Sequence, residues 1–261
     1  MTNSGSAQPL KGRAVLITRP SHHAGRLAGM ISEAGGQAVR FPALAIAPPA
    51  DVDRAKELLR SLQSFDLAVF VSVNAIDQGL ALLESPWPAT VPVAAMGEGS
   101  AAALHSYGIS KVILPSCGAD TEALLASPEF ENLKDKRVLI LRGEGGREVL
   151  AETLRQRGAS VSYAECYRRV RPSADPATII ARWEGGDLHA VTVMSGETLD
   201  NLQVMLGRRG QQLLRNTPLF VPHASIAQRA ERAGASEVII TSPGDKGVMT
   251  SLCAWFSLHP H

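Results

Sequence analysis

The sequence predicts an α/β protein made of two similar parallel-sheet α/β domains, and three observations carry that reading. Short runs rich in Val, Ile and Leu alternate with amphipathic stretches of about ten to fourteen residues, the rhythm of strand-helix units feeding a parallel sheet covered on both faces. Gly35, Gly108, Gly158 and Gly234 close amphipathic stretches, where helix ends favour a left-handed residue. Segments of the first half recur in the second at a nearly constant displacement.

Taken in order, buried runs near 14–18, 37–41, 67–71, 93–96 and 112–114 predict the strands of the first half. Runs near 137–141, 160–166, 190–194, 218–221 and 237–240 predict those of the second, with helices between them. The first run, AVLIT, stops at Arg19 and opens through TRPSHH into a stretch that Gly35 ends. RVLILRGEGG (137–146) repeats the design, stopping at Arg142 and opening into glycines. Val15 matches Val138, Arg19 matches Arg142, Leu27 matches Leu150 and Gly35 matches Gly158, each displaced by 123 (142 minus 19). FDLAVFVSVNA (65–75) parallels GDLHAVTVMSG (186–196), setting Ser72 against Ser195 at the same displacement of 123 (195 minus 72). GISKVILPS (108–116) parallels GASEVIITS (234–242) at 126 (234 minus 108), a drift that marks a loop insertion. Taken alone, the repeat would cut the chain near its middle.

Composition limits the function. With 26 Lys plus Arg against 25 Asp plus Glu, there is no global field to hold nucleic acid or an anionic membrane, so any anion is held by a local site. Cys117, Cys166 and Cys253 lie far apart with no C-x-x-C pair, which fits a reducing compartment and suggests neither a disulfide framework nor a zinc knuckle. The start, MTNSGSAQPLKG, reads as a polar tail, and no apolar stretch approaches the roughly 18 residues of a membrane span, so a cytoplasmic protein is expected.

In open parallel sheets ligands bind beyond the carboxyl ends of strands, where helices begin with unpaired N–H groups and a dipole that favours negative charge. Here those loops read TRPSHH (18–23), VSVNA (71–75), MGEGSA (96–101), RGEGG (142–146), MSGET (194–198) and PHASIA (222–227). The first half thus offers Arg19, Ser72, Asn74, Gly97 and Ser100 as candidate contacts. The second offers Arg142, Gly143, Gly145, Ser195, Gly196, Thr198, His223 and Ser225. Two such sets facing each other across a cleft would present many amides to one large polyanion. Residues of this kind also cap helices and close turns, and Asn74 and Thr198 are read as caps first and contacts second. Arg19 and Arg142 suit carboxylates, whether of a ligand or of a neighbouring acid.

Rival chemistries fit poorly. A dinucleotide fingerprint beginning at Gly143 needs glycine at 148, which is Glu148, and no G-K-[ST] loop exists. Ser72 and Ser195 follow strands, but neither lies in G-x-S-x-G. Histidines are adjacent (His22, His23) or scattered, so no metal is expected. Such a protein either binds without reacting or runs a reaction whose substrate supplies most of the reactivity.

VLITRP, FVSVNA, MGEGSAAAL, RVLILRGEGGREVLAETLRQRGA, AECYRR and MSGETLDNL, in that order across most of the chain, resemble the uroporphyrinogen-III synthase family. The resemblance implies flavodoxin-like or Rossmann-like halves joined by a two-stranded linker. Residues 1–41 with 169–261 would form a discontinuous domain and 42–168 the other, with linker strands near 39–46 and 164–172 that carry Pro42 and Pro172. It implies a linear tetrapyrrole substrate, hydroxymethylbilane, closed to uroporphyrinogen III with loss of water and inversion of ring D. It further implies a monomer, and no cofactor and no nucleic-acid or membrane partner is expected. For the acid that meets the departing hydroxyl, the family position is the tyrosine of CYRR, Tyr167. A phenol, with an ordinary pKa of about 10, is a proton donor at neutral pH. Ser100 stands where the family commonly has threonine, and PHASIA lacks the family's glycine around His223 and Ser225. The competing expectation is a non-catalytic two-domain protein that closes on a small anion.

Overall fold

The structure is a computed structural model that describes residues 8–259. The polar start at residues 1–7 and the final two residues lie outside it. In chain order, β1 (Ala14–Ile17), α1 (Ser21–Glu33), β2 (Gln37–Arg40), β3 (Ala45–Ala47) and α2 (Val52–Arg60) come first. They are followed by β4 (Leu67–Phe70), α3 (Val73–Ala81), β5 (Val93–Ala95), α4 (Glu98–Ser106), β6 (Val112–Ile113) and α5 (Thr121–Leu125). The second half runs β7 (Arg137–Gly143), α6 (Val149–Gln156), β8 (Ser160–Val170), α7 (Ala177–Glu184), β9 (Ala190–Thr192) and α8 (Gly196–Arg215). It ends with β10 (Leu219–Val221), α9 (Ala224–Arg232), β11 (Val238–Ile240) and α10 (Gly244–Leu258).

These elements pack as two compact units, residues 8–45 with 170–259, and residues 46–169. The first holds a sheet of order β11-β10-β9-β1-β2 and the second a sheet of order β3-β8-β7-β4-β5-β6. All pairings within the first sheet, and those from β8 to β6 in the second, are parallel. The central strands are buried on both faces, as parallel sheets require. On β1, Ala14 and Leu16 enter one core while Val15 and Ile17 enter the other. On β7, Leu139 and Leu141 face the core of Phe70 and Ile76, while Val138 and Ile140 face that of Leu124 and Phe130.

The repeat and the units divide the chain differently. Repeat-equivalent strands take equivalent places: β1 and β7 are flanked by β2 and β8 on one side and by β9 and β4 on the other. Each sheet therefore combines two leading strands of one half with three trailing strands of the other, and β3 adds an edge to the second. The strand expected over 39–46 is interrupted, since β2 ends at Arg40 and β3 begins at Ala45. The N–H groups of Phe41 and Ala43 still donate to the carbonyls of Ile17 and Thr18, and Pro42 between them has no donor. On the other side, β8 runs on to Val170, past the expected end of its run at 166, and Pro172 follows it. Among the described residues, no helix is long and apolar enough to cross a membrane.

Candidate functional site

The second unit brings five of the candidate residues to the rim of one cavity, and a β-bulge on β8 organises them. The register pairs Arg142 with Glu165 and then Gly143 with Tyr167, so Cys166 is skipped. Successive strand side chains alternate in face. The extra residue breaks that rule and sends Ala164, Cys166 and Tyr167 into the same core. Tyr167 is buried there, its backbone carbonyl accepting the Glu144 N–H at 2.7 Å. Gly143 makes room for it: a Cβ at this position would lie 2.7 Å from two atoms of the Tyr167 ring and 3.1 Å from its hydroxyl oxygen.

The phenol meets Ser72, whose Oγ lies 3.2 Å from the Tyr167 hydroxyl. Ser72 caps α3: its backbone is extended and its Oγ accepts the Ala75 N–H at 3.1 Å. Burial pushes the neighbouring Cys166 thiol up to about 12, so it is not a nucleophile at neutral pH.

Arg142, at the end of β7, is 6 % exposed. Its Nη1 donates to Glu148 at 2.9 Å, its Nε donates to the Gly143 carbonyl at 3.2 Å, and its guanidinium lies 4.5 Å from the centroid of the Tyr163 ring. The Tyr163 hydroxyl donates to the other oxygen of Glu148. That hydrogen bond, and then the one from Arg142, holds the Glu148 carboxyl below its usual range. Burial, followed by the same bond to Glu148, pushes the Tyr163 phenol up. Gly145 and Gly146 turn the chain at φ of 69° and 112°, a region that side chains avoid. The glycines that suggested a dinucleotide loop thus make this turn.

Ser72, Arg142, Gly143, Gly145 and Tyr167 line a cavity of about 360 Å³ together with Asp120, Thr121, Tyr163, Arg147 and Arg169. Sequence reasoning missed these last five. Asp120 had left a legible cue as the acid before TEALL, where it caps α5 by accepting the Ala123 N–H. A larger hollow of about 730 Å³ lies at the opposite, amino ends of β5 and β6. It is lined by Trp87, Val91 and Ile109, and it brings little chemistry with it.

The other candidates stand at neighbouring strand ends. Asn74 lies in the first turn of α3, half-buried; Gly97 is the N-cap of α4, and Ser100 is buried in that helix's first turn. In the first unit, Ser195 caps α8 by accepting the Thr198 N–H at 3.1 Å, and its Oγ lies 2.8 Å from the buried Thr198 hydroxyl. Gly196 leaves space for Arg229, whose Nη1 would lie 3.1 Å from a Cβ there. His223 is the N-cap of α9 without a side-chain capping bond, and it and Ser225 are both exposed at that helix start. Arg19 pairs with Asp245 at 2.6 Å, both side chains 13 % exposed. Both repeat-related arginines are therefore held by an acid of the protein itself.

The family model described as uroporphyrinogen-III synthase HemD matches residues 25–248. The chain is 30 % identical over 240 residues to the uroporphyrinogen-III synthase of Escherichia coli K12, covering 90 % of this chain and 98 % of that one. Against the Salmonella typhimurium LT2 enzyme it is 33 % identical over 241 residues, with the same coverage. In fold it is similar to a mutant uroporphyrinogen III synthase from the extreme thermophile Thermus thermophilus, with a TM-score of 0.59 at 15 % identity, covering 95 % of this chain and all (100 %) of the other. The Helicobacter pylori 26695 uroporphyrinogen-III synthetase gives a TM-score of 0.58 at 16 % identity with the same coverage. The non-catalytic binder finds no support among these relatives.

Proposed function

The chain belongs to the uroporphyrinogen-III synthase family, and from that premise we propose which of its residues carry the reaction. It is a lyase of tetrapyrrole biosynthesis that closes hydroxymethylbilane to uroporphyrinogen III, with loss of water and inversion of ring D. Departure of the hydroxyl leaves an electrophilic azafulvene. The electron-rich substituted carbon of ring D attacks its methylene carbon to give a spiro intermediate, which fragments and recloses. The pyrroles drive these steps, so the protein's work is to fold the chain and exclude simple head-to-tail closure.

In this reading Tyr167 is the acid that protonates the departing hydroxyl. The observation that carries the assignment is its hydroxyl beside Ser72 at the rim of a cavity also lined by Arg142 and Gly143. Carboxylates of the substrate sit on the helix N-termini that follow the strands, at Ser72 and Asn74, Gly97 and Ser100, and Gly143 and Gly145. Their counterparts are Ser195, Gly196 and Thr198, with His223 and Ser225. Arg19 and Arg142 take a carboxylate beside, or in exchange for, Asp245 and Glu148. The protein works as a cytoplasmic monomer, without a nucleic-acid or membrane partner.

The test is to add the protein to freshly made hydroxymethylbilane and separate the cyclic isomers. An excess of type III that scales with protein supports the reading; type I alone, in the amount formed by a blank, contradicts it.

A further inference from the structure

We propose that Ser72 is the positioning residue for Tyr167, a hydroxyl that fixes the phenol while it is neutral and donates to it once its proton has gone; this rests on the reading of Tyr167 as the acid. A serine hydroxyl has two lone pairs and one hydrogen. The Ala75 N–H occupies one lone pair at 3.1 Å, which pins Ser72 Oγ to the first turn of α3. One lone pair and the hydrogen remain, and Tyr167 lies 3.2 Å away.

That arrangement serves both protonation states without moving a heavy atom. Without substrate, the phenol O–H donates to Ser72; with the leaving hydroxyl in place it turns to that oxygen, and the Ser72 hydrogen donates to the phenol. As the C–O bond of the substrate breaks, the bonding pair leaves with oxygen, the Tyr167 proton joins that oxygen, and water departs. The Ser72 hydrogen is then already directed at the phenolate. When the pyrrole carbon that closes the ring rearomatises, it sheds a proton, and the phenolate recovers one. The N-terminal dipole of α3 adds to the stabilisation of the anion. The other charged groups at this cavity are Asp120, Arg142, Arg147 and Arg169, and Arg142 is already neutralised by Glu148. The bulge at Cys166 and the missing side chain of Gly143 place the ring where Ser72 can reach it.

The test compares kcat and KM for hydroxymethylbilane in Ser72→Gly, Ser72→Asp, Tyr167→Phe and the Ser72→Gly/Tyr167→Phe double variant. Glycine costs an N-cap little, and aspartate caps as well as serine but cannot donate. Both single Ser72 variants should lower kcat by about tenfold or more, the scale of a lost hydrogen bond to an ion; in Ser72→Asp the added charge also raises KM, so the positioning role is read from kcat. In the Tyr167→Phe background, Ser72→Gly should cost nothing further. Wild-type turnover in Ser72→Asp, or a full loss from Ser72→Gly in the phenylalanine background, would overturn the inference alone. A Tyr167→Phe enzyme as fast as wild type would sink the acid reading beneath it.

Discussion

Arg142 and Glu148 meet at 2.9 Å, the arginine side chain 7 % exposed and the glutamate 47 %. Replacing Glu148 by glutamine leaves a buried cation with a neutral partner, and the melting temperature should fall. The Glu148 carboxyl is held below its ordinary 4.5, by Tyr163 first and Arg142 second. Its contribution is therefore full above that value and is lost as pH falls through the folded pKa. Wild type and Glu148→Gln should differ at pH 7.5 and converge in acid; equal melting at pH 7.5 would contradict the pairing. The same variant frees Arg142, so KM for the polycarboxylate substrate should drop if Arg142 contacts it.

Gly143→Ala places a methyl group 2.7 Å from the Tyr167 ring. Overpacking of this kind costs about 1–3 kcal/mol. The variant should melt earlier and, because the phenol must shift, lose about tenfold or more in kcat. Chemical denaturation and steady-state rates check both, and a variant indistinguishable from wild type would remove the steric role assigned to this glycine.

Cys117 is exposed while Cys166 is buried, with its thiol pushed up to about 12 by that burial. In the native protein at pH 8, an aromatic disulfide reagent should titrate Cys117 quickly and leave Cys166 untouched until denaturant is added. Rapid modification of Cys166 in the folded protein, located by peptide mapping, would contradict the packing of the bulge.

His189 accepts the Ala14 N–H at Nδ1, 3.0 Å away, at the amino end of β9. Its pKa is lowered from 6.5, by burial first and then by Arg13. The unfolded chain therefore takes up a proton first as pH falls below 6.5, and the fold loses stability until its own lower pKa is passed. Melting curves between pH 7.5 and 5 should show this loss in wild type and less of it in His189→Gln, whose amide oxygen can still accept from Ala14. Parallel curves would exclude it.

The fold was largely legible because its signals are local. Val15, Leu16 and Ile17 read as a buried strand in any context, and Gly35, Gly108, Gly158 and Gly234 do adopt the left-handed φ of helix ends. The short strand β3 was not separately legible, since Ala45–Ala47 is only half-buried. The site was legible as loop composition but not as geometry. Ser72 announced itself as a cap, yet its approach to Tyr167 depends on a skipped residue at Cys166, which no periodicity reveals. Tyr163 stayed hidden because it meets Arg142 only once β7 and β8 are in register, and Glu148 because it reaches Arg142 only through the turn at Gly145 and Gly146.

The tetrapyrrole's carboxylates are proposed to rest on the helix N-termini at the carboxyl ends of the strands. Amide chemical-shift mapping, with uroporphyrinogen III added under anaerobic conditions, tests this. Shifts should be concentrated at Ser72, Gly143, Gly145 and Gly196, with Gly35 and Gly108 at the opposite strand ends unmoved. Shifts at Gly108, Ile109 and Lys111, with Ser72 and Gly143 silent, would contradict it.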